Sequence, residues 1–185
     1  YNIHQLSKFM SKIGDYILKL RNRFQKNTLE VSRQAMNYAD VREVGILFNM
    51  REDANHQVLN DFVTSLRKDN KNVTALAYFE RDSSNPYNFA FDFFRKKDIS
   101  AFGSIKSPAV ERFKNETFDY LFCINIINFP PFDYILLHSQ AKCRIGLFHE
   151  GQEADFELMI AMSANDSEAF LMQQMMHYVQ NLKTN

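Results

Sequence analysis

The sequence predicts an α/β protein built on a Rossmann-like, mainly parallel sheet of about five or six strands with flanking helices. Three observations predict it. The runs 44–49, 73–79, 120–125 and 143–148 are apolar at nearly every position, the pattern of strands buried on both faces. Segments with helical periodicity lie between them, such as the stripe Val58, Leu59, Phe62, Val63 and Leu66. Strand and helix patterns also alternate along the chain, which favours parallel pairing through helical crossovers. A chain of 185 residues, 45% hydrophobic and 24% charged, is long enough for one ordinary core plus an appended segment.

Each element has its own justification. Residues 1–40 read as a basic amphipathic helical arm and residues 41–185 as the α/β domain. In the arm, Ile3, Leu6, Met10, Ile13, Ile17, Leu20 and Phe24 recur at spacings of three and four, with only Gly14 weakening the helix. After the strand at 44–49, the loop 50–54 leads into a helix ending near Lys68. Asp69 to Asn72 form a turn, and a second strand follows. Residues 82–86 are a loop, and Tyr87, Phe89, Phe91 and Phe93 then alternate at the strand period. A further short strand is expected at 99–102. Ser107-Pro108 is a helix start, serine at the N-cap and proline at the first helical position. Pro130-Pro131 starts another helix, expected to end near Ala141 with Tyr134, Ile135 and Leu137 on its apolar side and His138 at the edge of that face. A strand at 156–161 and a final helix capped by Asp166 or Ser167, reaching about Leu182, complete the domain.

The formal net charge of zero conceals an asymmetry. Residues 1–40 carry seven basic side chains (Lys8, Lys12, Lys19, Arg21, Arg23, Lys26 and Arg33) against three acidic ones, a net +4 balanced by −4 on the rest. A basic arm on a mildly acidic body points to an electrostatic partner. Its apolar stripe also needs a cover, because an isolated helix of this length is marginal in water. The body's own sheet, a second copy in a homodimer, a protein or nucleic-acid-containing complex, and an anionic membrane surface all stay open. No apolar run approaches the roughly 20 residues of a membrane-spanning helix. The N-terminus is polar rather than signal-like, so a cytoplasmic location is expected. Cys123 and Cys143 read as small buried hydrophobes in strands rather than a disulfide.

Candidate ligand-binding residues follow from the architecture, since open α/β sheets bind ligands beyond the carboxyl ends of their strands. Asn49, Arg51, Glu52, Asp53 and His56 follow the first strand, Asn125 and Asn128 the central one, and His149, Glu150 and Glu153 the next. A histidine among carboxylates can do acid–base work or hold a metal. No local spacing such as His-Glu-x-x-His supports either, so neither a catalytic nor a metal site is assigned. No glycine-rich loop follows a strand, and no cofactor is expected. Gly45 and Gly146 fall inside strands, where small size serves packing. Phe91, Arg95, Lys96 and Lys97 interleave aromatics with cations, as a partner-binding surface does. The bland alternative buries the rings under a helix and leaves the cations in solvent. The methionines gathered from Met159 to Met176 read as core filling.

Two stretches carry a resemblance. The segment Phe118-Asp119-Tyr120-Leu121-Phe122 followed by Ala141-Lys142-Cys143-Arg144-Ile145-Gly146-Leu147-Phe148 resembles the N-terminal domain of heptosyltransferase-type glycosyltransferases. In those a Tyr/Phe-Asp strand is followed by a helix and an Arg-Ile-Gly-Phe strand. The resemblance implies a Rossmann-like fold. It does not carry the activity over, because those enzymes bind the nucleotide sugar mainly in a second domain. Residues 41–185 also resemble a family of small bacterial proteins of unknown function, most recognisably over Phe94-Arg95-Lys96-Lys97-Asp98-Ile99 and Phe102-Gly103-Ser104-Ile105-Lys106. The function expected from the sequence is a non-enzymatic binding or assembly module contacting its partner through the basic arm and the region 89–97. The alternatives are a small-molecule binder or enzyme using the strand-end residues, and a self-associating structural protein.

Overall fold

The computed structural model describes residues 31–50, 56–80, 90–100, 104–150, 155–163 and 165–183. Among these residues are six strands, β1 (Glu43–Met50), β2 (Asn72–Phe79), β3 (Asp92–Arg95), β4 (Tyr120–Ile124), β5 (Cys143–Leu147) and β6 (Leu158–Ile160). The four α-helices are α1 (His56–Lys68), α2 (Pro108–Asn115), α3 (Pro130–His138) and α4 (Glu168–Asn181). The strands form one sheet in the order β3-β2-β1-β4-β5-β6, and every neighbouring pair is parallel. This is the doubly wound Rossmann order, with a topological switch point where the chain, having built outward from β1 to β3, returns to lay β4 on the other side of β1.

The apolar runs explain the burial. β4 is buried at all five positions and β5 likewise, as strands covered on both faces must be. Alternate residues feed two cores. On one side Ile46, Phe62, Phe122 and Ile145 pack with Leu171 and Met175, beneath α1 and α4. On the other, Leu47, Leu76, Phe94, Val110, Leu121 and Ile135 pack beneath α2 and α3. Gly45 is required by the second core: a Cβ there would stand 2.9 Å from the Leu121 and Phe118 side chains.

The helix starts follow the sequence signals. Ser107 Oγ accepts from Val110 N ahead of Pro108, and Ser167, not Asp166, caps α4 by accepting from Phe170 N at 3.2 Å. Asn70 closes the α1–β2 turn in the left-handed region, φ 59°, which asparagine tolerates better than most residues. Three expectations need correction. α3 ends at His138 rather than near Ala141, because Ser139 turns extended and its hydroxyl donates back to Leu136 O. Its buried face is Phe132, Ile135 and Leu136, with Tyr134 and Leu137 only half-buried. Of the strand expected at 99–102, Ile99 makes an antiparallel bridge to Ile105, Ser100 is in no strand, and residues 101 and 102 lie outside the described residues. Cys123 and Cys143 are free and buried, and burial first of all raises both thiols, that of Cys143 to about 12.

Candidate functional site

In a sheet of this order the ligand face is the carboxyl edge, and there the chain assembles one small pocket between β4 and β5 on the α3 side. Its polar lining is Asn125 and Asn128 from the loop after β4, Asp133 from the first turn of α3, and His149 from the end of β5. Phe129 and Phe156 are among its apolar walls. The pocket is half-open and its enclosed space is about 20 Å³, room for one water-sized group. Ile127 and Phe148, 48% and 44% exposed, flank the two loops that supply the asparagines and the histidine.

The central polar group is Asn125, which is 7% exposed. Its Nδ2 donates to Ile127 O, which fixes the orientation of the amide, since a flip would set two oxygens against each other. Its Oδ1 is buried and accepts no hydrogen bond among the described residues. A buried acceptor left in this way costs on the order of 1–3 kcal/mol, so it calls for an explanation.

The start of α3 offers no compensating donor. Pro130 and Pro131 have no N–H, and the next two amides, of Phe132 and Asp133, both turn back to Phe129 O, at 2.8 and 3.4 Å. A helix N-terminus usually presents free N–H groups that suit a phosphate. This one has them removed by proline or engaged internally, and it carries a carboxylate in its first turn.

The other wall depends on residues that lie in the strand. A Cβ on Gly146 would stand 2.3 Å from the Phe156 ring, so only glycine lets that ring lie against β5 and form the pocket wall. Two residues from Gly146, Arg144 is 3% exposed and grips Glu157 in a two-pronged pair, Nη2 to Oε1 at 2.7 Å and Nε to Oε2 at 3.1 Å. Its own amide donates to the same carboxylate at 2.7 Å. Arg144 and Gly146 thus tie down the segment that carries Phe156.

Of the residues expected at strand ends, the structure brings Asn125, Asn128 and His149 together. Glu150 is exposed beside them, and Asn49 is half-buried near the end of β1. Arg51, Asp53 and the side chain of His56 lie outside the described residues, as do Lys8, Lys12, Lys19, Arg21, Arg23 and Lys26. In the aromatic run, Phe91 packs on Phe48 and Phe79, Phe94 is wholly buried, and Phe93 is 44% exposed with the Arg95 guanidinium 4.8 Å from its ring centre. Lys96 and Lys97 are exposed in a short 3-10 turn at the sheet's β3 edge. Sequence reading missed Asp133 and Phe156. The only signal for Asp133 was its place one turn into a helix opening beside an expected ligand edge. Phe156 had none, because it reaches the pocket through its packing on a glycine.

The opposite, amino edge of the sheet holds a cluster of ionisable groups shifted from their ordinary values, while at the carboxyl edge burial raises the thiol of Cys123, which lines the pocket. At the amino edge residues 31–42 run against the domain. Gln34 N donates to Lys142 O, Arg33 Nη2 to Ser139 O at 2.8 Å, and the Tyr120 hydroxyl to Met36 O. Lys71, 6% exposed, donates to the carbonyls of Tyr38 and Val41, both at 2.8 Å, and desolvation lowers its pKa. The Tyr38 and Tyr120 hydroxyls are raised first by burial, and the Arg33 guanidinium is lowered first by burial and then by Arg144. Asp119 accepts from the amides of Arg42 and Glu43 and from Lys142 Nζ, at 2.8, 3.0 and 2.8 Å. Burial pushes its carboxyl up, but these hydrogen bonds outweigh that and hold it below the ordinary value. Apart from the buried Arg33 Nε, the donors named here have protein acceptors, as a clasp requires. The segments 118–122 and 141–148 contribute here and at the Glu157 pair, and none of their polar side chains lines the pocket.

Among the described residues no helix is long and apolar enough to cross a membrane, and no group of three or more His, Cys, Asp or Glu is placed to hold a metal ion. No curated protein and no solved structure matches the chain. A family match spans residues 16–182, taking in every described strand and helix and part of the basic arm, so the chain belongs to a family of unknown function, DUF6913.

Proposed function

We propose that this protein is a small-molecule-binding module that takes its ligand at the carboxyl edge of the sheet, between β4 and β5. One observation carries the reading: Asn125 lines the pocket and its Oδ1 is buried with no hydrogen-bond partner among the described residues, in the fold region where doubly wound sheets bind ligands. Binding rather than catalysis is favoured because burial holds the pocket-lining Cys123 in its inert thiol form, while Asp119, Lys71 and Arg33 are engaged in the clasp at the opposite edge. The test is a fragment screen on the full chain, read by amide and side-chain chemical shifts. Binders that move Asn125, Asn128 and His149 together, and lose that effect in Asn125→Leu, support the reading. A screen in which every binder maps elsewhere overturns it.

A second reading keeps the basic arm as a contact to a protein or nucleic-acid-containing complex in the cytoplasm. The +4 charge of residues 1–40 against −4 on the remainder favours it, with exposed Lys96 and Lys97 adding positive charge at the β3 edge. Co-purification at low and high salt checks it. A partner lost at high salt, and lost again on deleting residues 1–30, supports the arm. Equal recovery of that partner without the arm overturns it.

A further inference from the structure

The pocket between β4 and β5 has a polarity, and the polarity selects a chemical class of ligand. Asn125 supplies an unmet acceptor, while one of the two N–H bonds of its Nδ2 is engaged with Ile127 O. Asp133, on the same lining, adds a carboxylate. The adjacent helix start withholds its amides: two are absent through proline and the next two are turned onto Phe129 O. An incoming phosphate or carboxylate would meet the Asp133 carboxylate and the Asn125 oxygen, neither of which can donate to it. A group bearing N–H or O–H would complete the unpartnered oxygen.

Size narrows the class further. A space of about 20 Å³ suits a small terminal group such as –NH₃⁺, –NH₂ or –OH. The rest of the ligand would lie outside, where Ile127 of the lining and Phe148, between the lining residues Leu147 and His149 in sequence, are exposed. We infer that the site recognises a ligand by a small hydrogen-bond-donor head, an amine, amide or hydroxyl, with an apolar body resting on Ile127 and Phe148. This rests on the reading of the carboxyl edge as the ligand site. The donor head could belong to a free metabolite or to a side chain of a partner, and the chemistry recognised is the same.

The test uses the isotopically labelled full chain and simple probes of each polarity. Propylammonium, propionamide and propanol present donors; propionate and inorganic phosphate present only acceptors near neutral pH. The expected result is that at least one donor probe shifts the Asn125 side-chain amide and the Asn128 and His149 resonances, while neither anion does. Asn125→Leu should weaken that donor probe about tenfold, equivalent to the loss of one hydrogen bond at 1.4 kcal/mol per decade. Asp133→Asn is the second variant, on a half-buried position. It should weaken propylammonium more than propionamide or propanol. Shifts caused equally by phosphate or propionate would overturn the donor head while leaving the carboxyl-edge site in place. Silence from all five probes at this edge, in a chain that fragments of other kinds do bind there, would also overturn the donor head alone. A tight water that no probe displaces from Asn125 Oδ1 in a high-resolution crystal structure would do the same.

Discussion

The amino edge and the carboxyl edge of this sheet are lined by similar residue types, yet the two are wired differently. At the amino edge Asp119, Lys71, Tyr38, Tyr120 and Arg33 each meet a protein partner, and the result stitches residues 31–42 to the ends of β1, β4 and β5. At the carboxyl edge Asn125 leaves an acceptor unmet, and Ile127 and Phe148 stand exposed. The difference teaches how to separate structural from functional polarity in a doubly wound fold. A charged hydrogen-bond network fastens the clasp, while the pocket holds a neutral amide oxygen with no partner among the described residues. Breaking the first edge should cost stability, and altering the second should cost binding.

The largest effect is expected at Arg144. Replacing it by alanine leaves Glu157 as an unpaired carboxylate, in a pair whose side chains are 4% and 15% exposed. Loss of one partner of a buried pair costs about 3–5 kcal/mol. Urea unfolding should show that loss, and Arg144→Met with Glu157→Leu should be less destabilised than Arg144→Ala alone. A single variant within 1 kcal/mol of wild type, by the same measure as about one lost hydrogen bond, would show that the pair does not anchor the segment.

Asp119 comes next. Alanine there strips acceptors from two backbone amides and from Lys142, a loss of about 2–3 kcal/mol. The pH dependence has a definite sign. The folded carboxyl titrates below its unfolded value of about 3.9, so its stabilisation is fully present above that pH and is lost as pH falls through the folded value. Wild-type stability should therefore drop on acidification below about pH 4, and Asp119→Ala should lack that part of the acid limb. Parallel acid limbs in the two proteins would remove Asp119 from the account.

The fold was legible because its signals are local. Continuous apolar runs such as Leu121-Phe122-Cys123 require burial on both faces, and Ser107-Pro108 announces a helix start whatever surrounds it. The site was legible only in part. Asn125, Asn128 and His149 could be placed from the rule that ligands sit beyond strand ends. The motif residues Asp119 and Arg144 drew attention and proved to be fasteners, since charge in a strand pattern does not reveal which partner meets it. Phe156 was illegible because its role depends on the missing Cβ of Gly146, a contact ten residues away in sequence.

Gly146→Ala is the intermediate case, because it couples the two properties. The added methyl collides with the Phe156 ring at 2.3 Å, and the ring must swing off β5. Overpacking of this kind costs about 1–3 kcal/mol, and the half-buried setting of Phe156 places the expectation at the lower end. The same movement displaces a pocket wall, so ligand affinity should fall together with stability. Adding Phe156→Leu should restore stability but not affinity, a split measurable by unfolding and titration on the same samples.

The smallest stability effect is expected at Asn125, and it sharpens the comparison most. Leucine has nearly the same shape as asparagine. The substitution removes the buried unsatisfied oxygen, which favours the folded state, and it also removes the donor to Ile127 O, which disfavours it. The two terms are each about 1 kcal/mol and opposite in sign, so the net change in unfolding free energy should lie within about 1 kcal/mol of zero. An asparagine kept for packing or folding would behave otherwise, with a loss of 2 kcal/mol or more, the size seen for disrupted buried networks. Asn125→Leu that folds as well as wild type while losing its ligand shifts would show that this buried acceptor is maintained against the interests of stability. That is the behaviour of a binding residue, and the reverse of what Asp119 and Arg144 should show at the other end of the same strands.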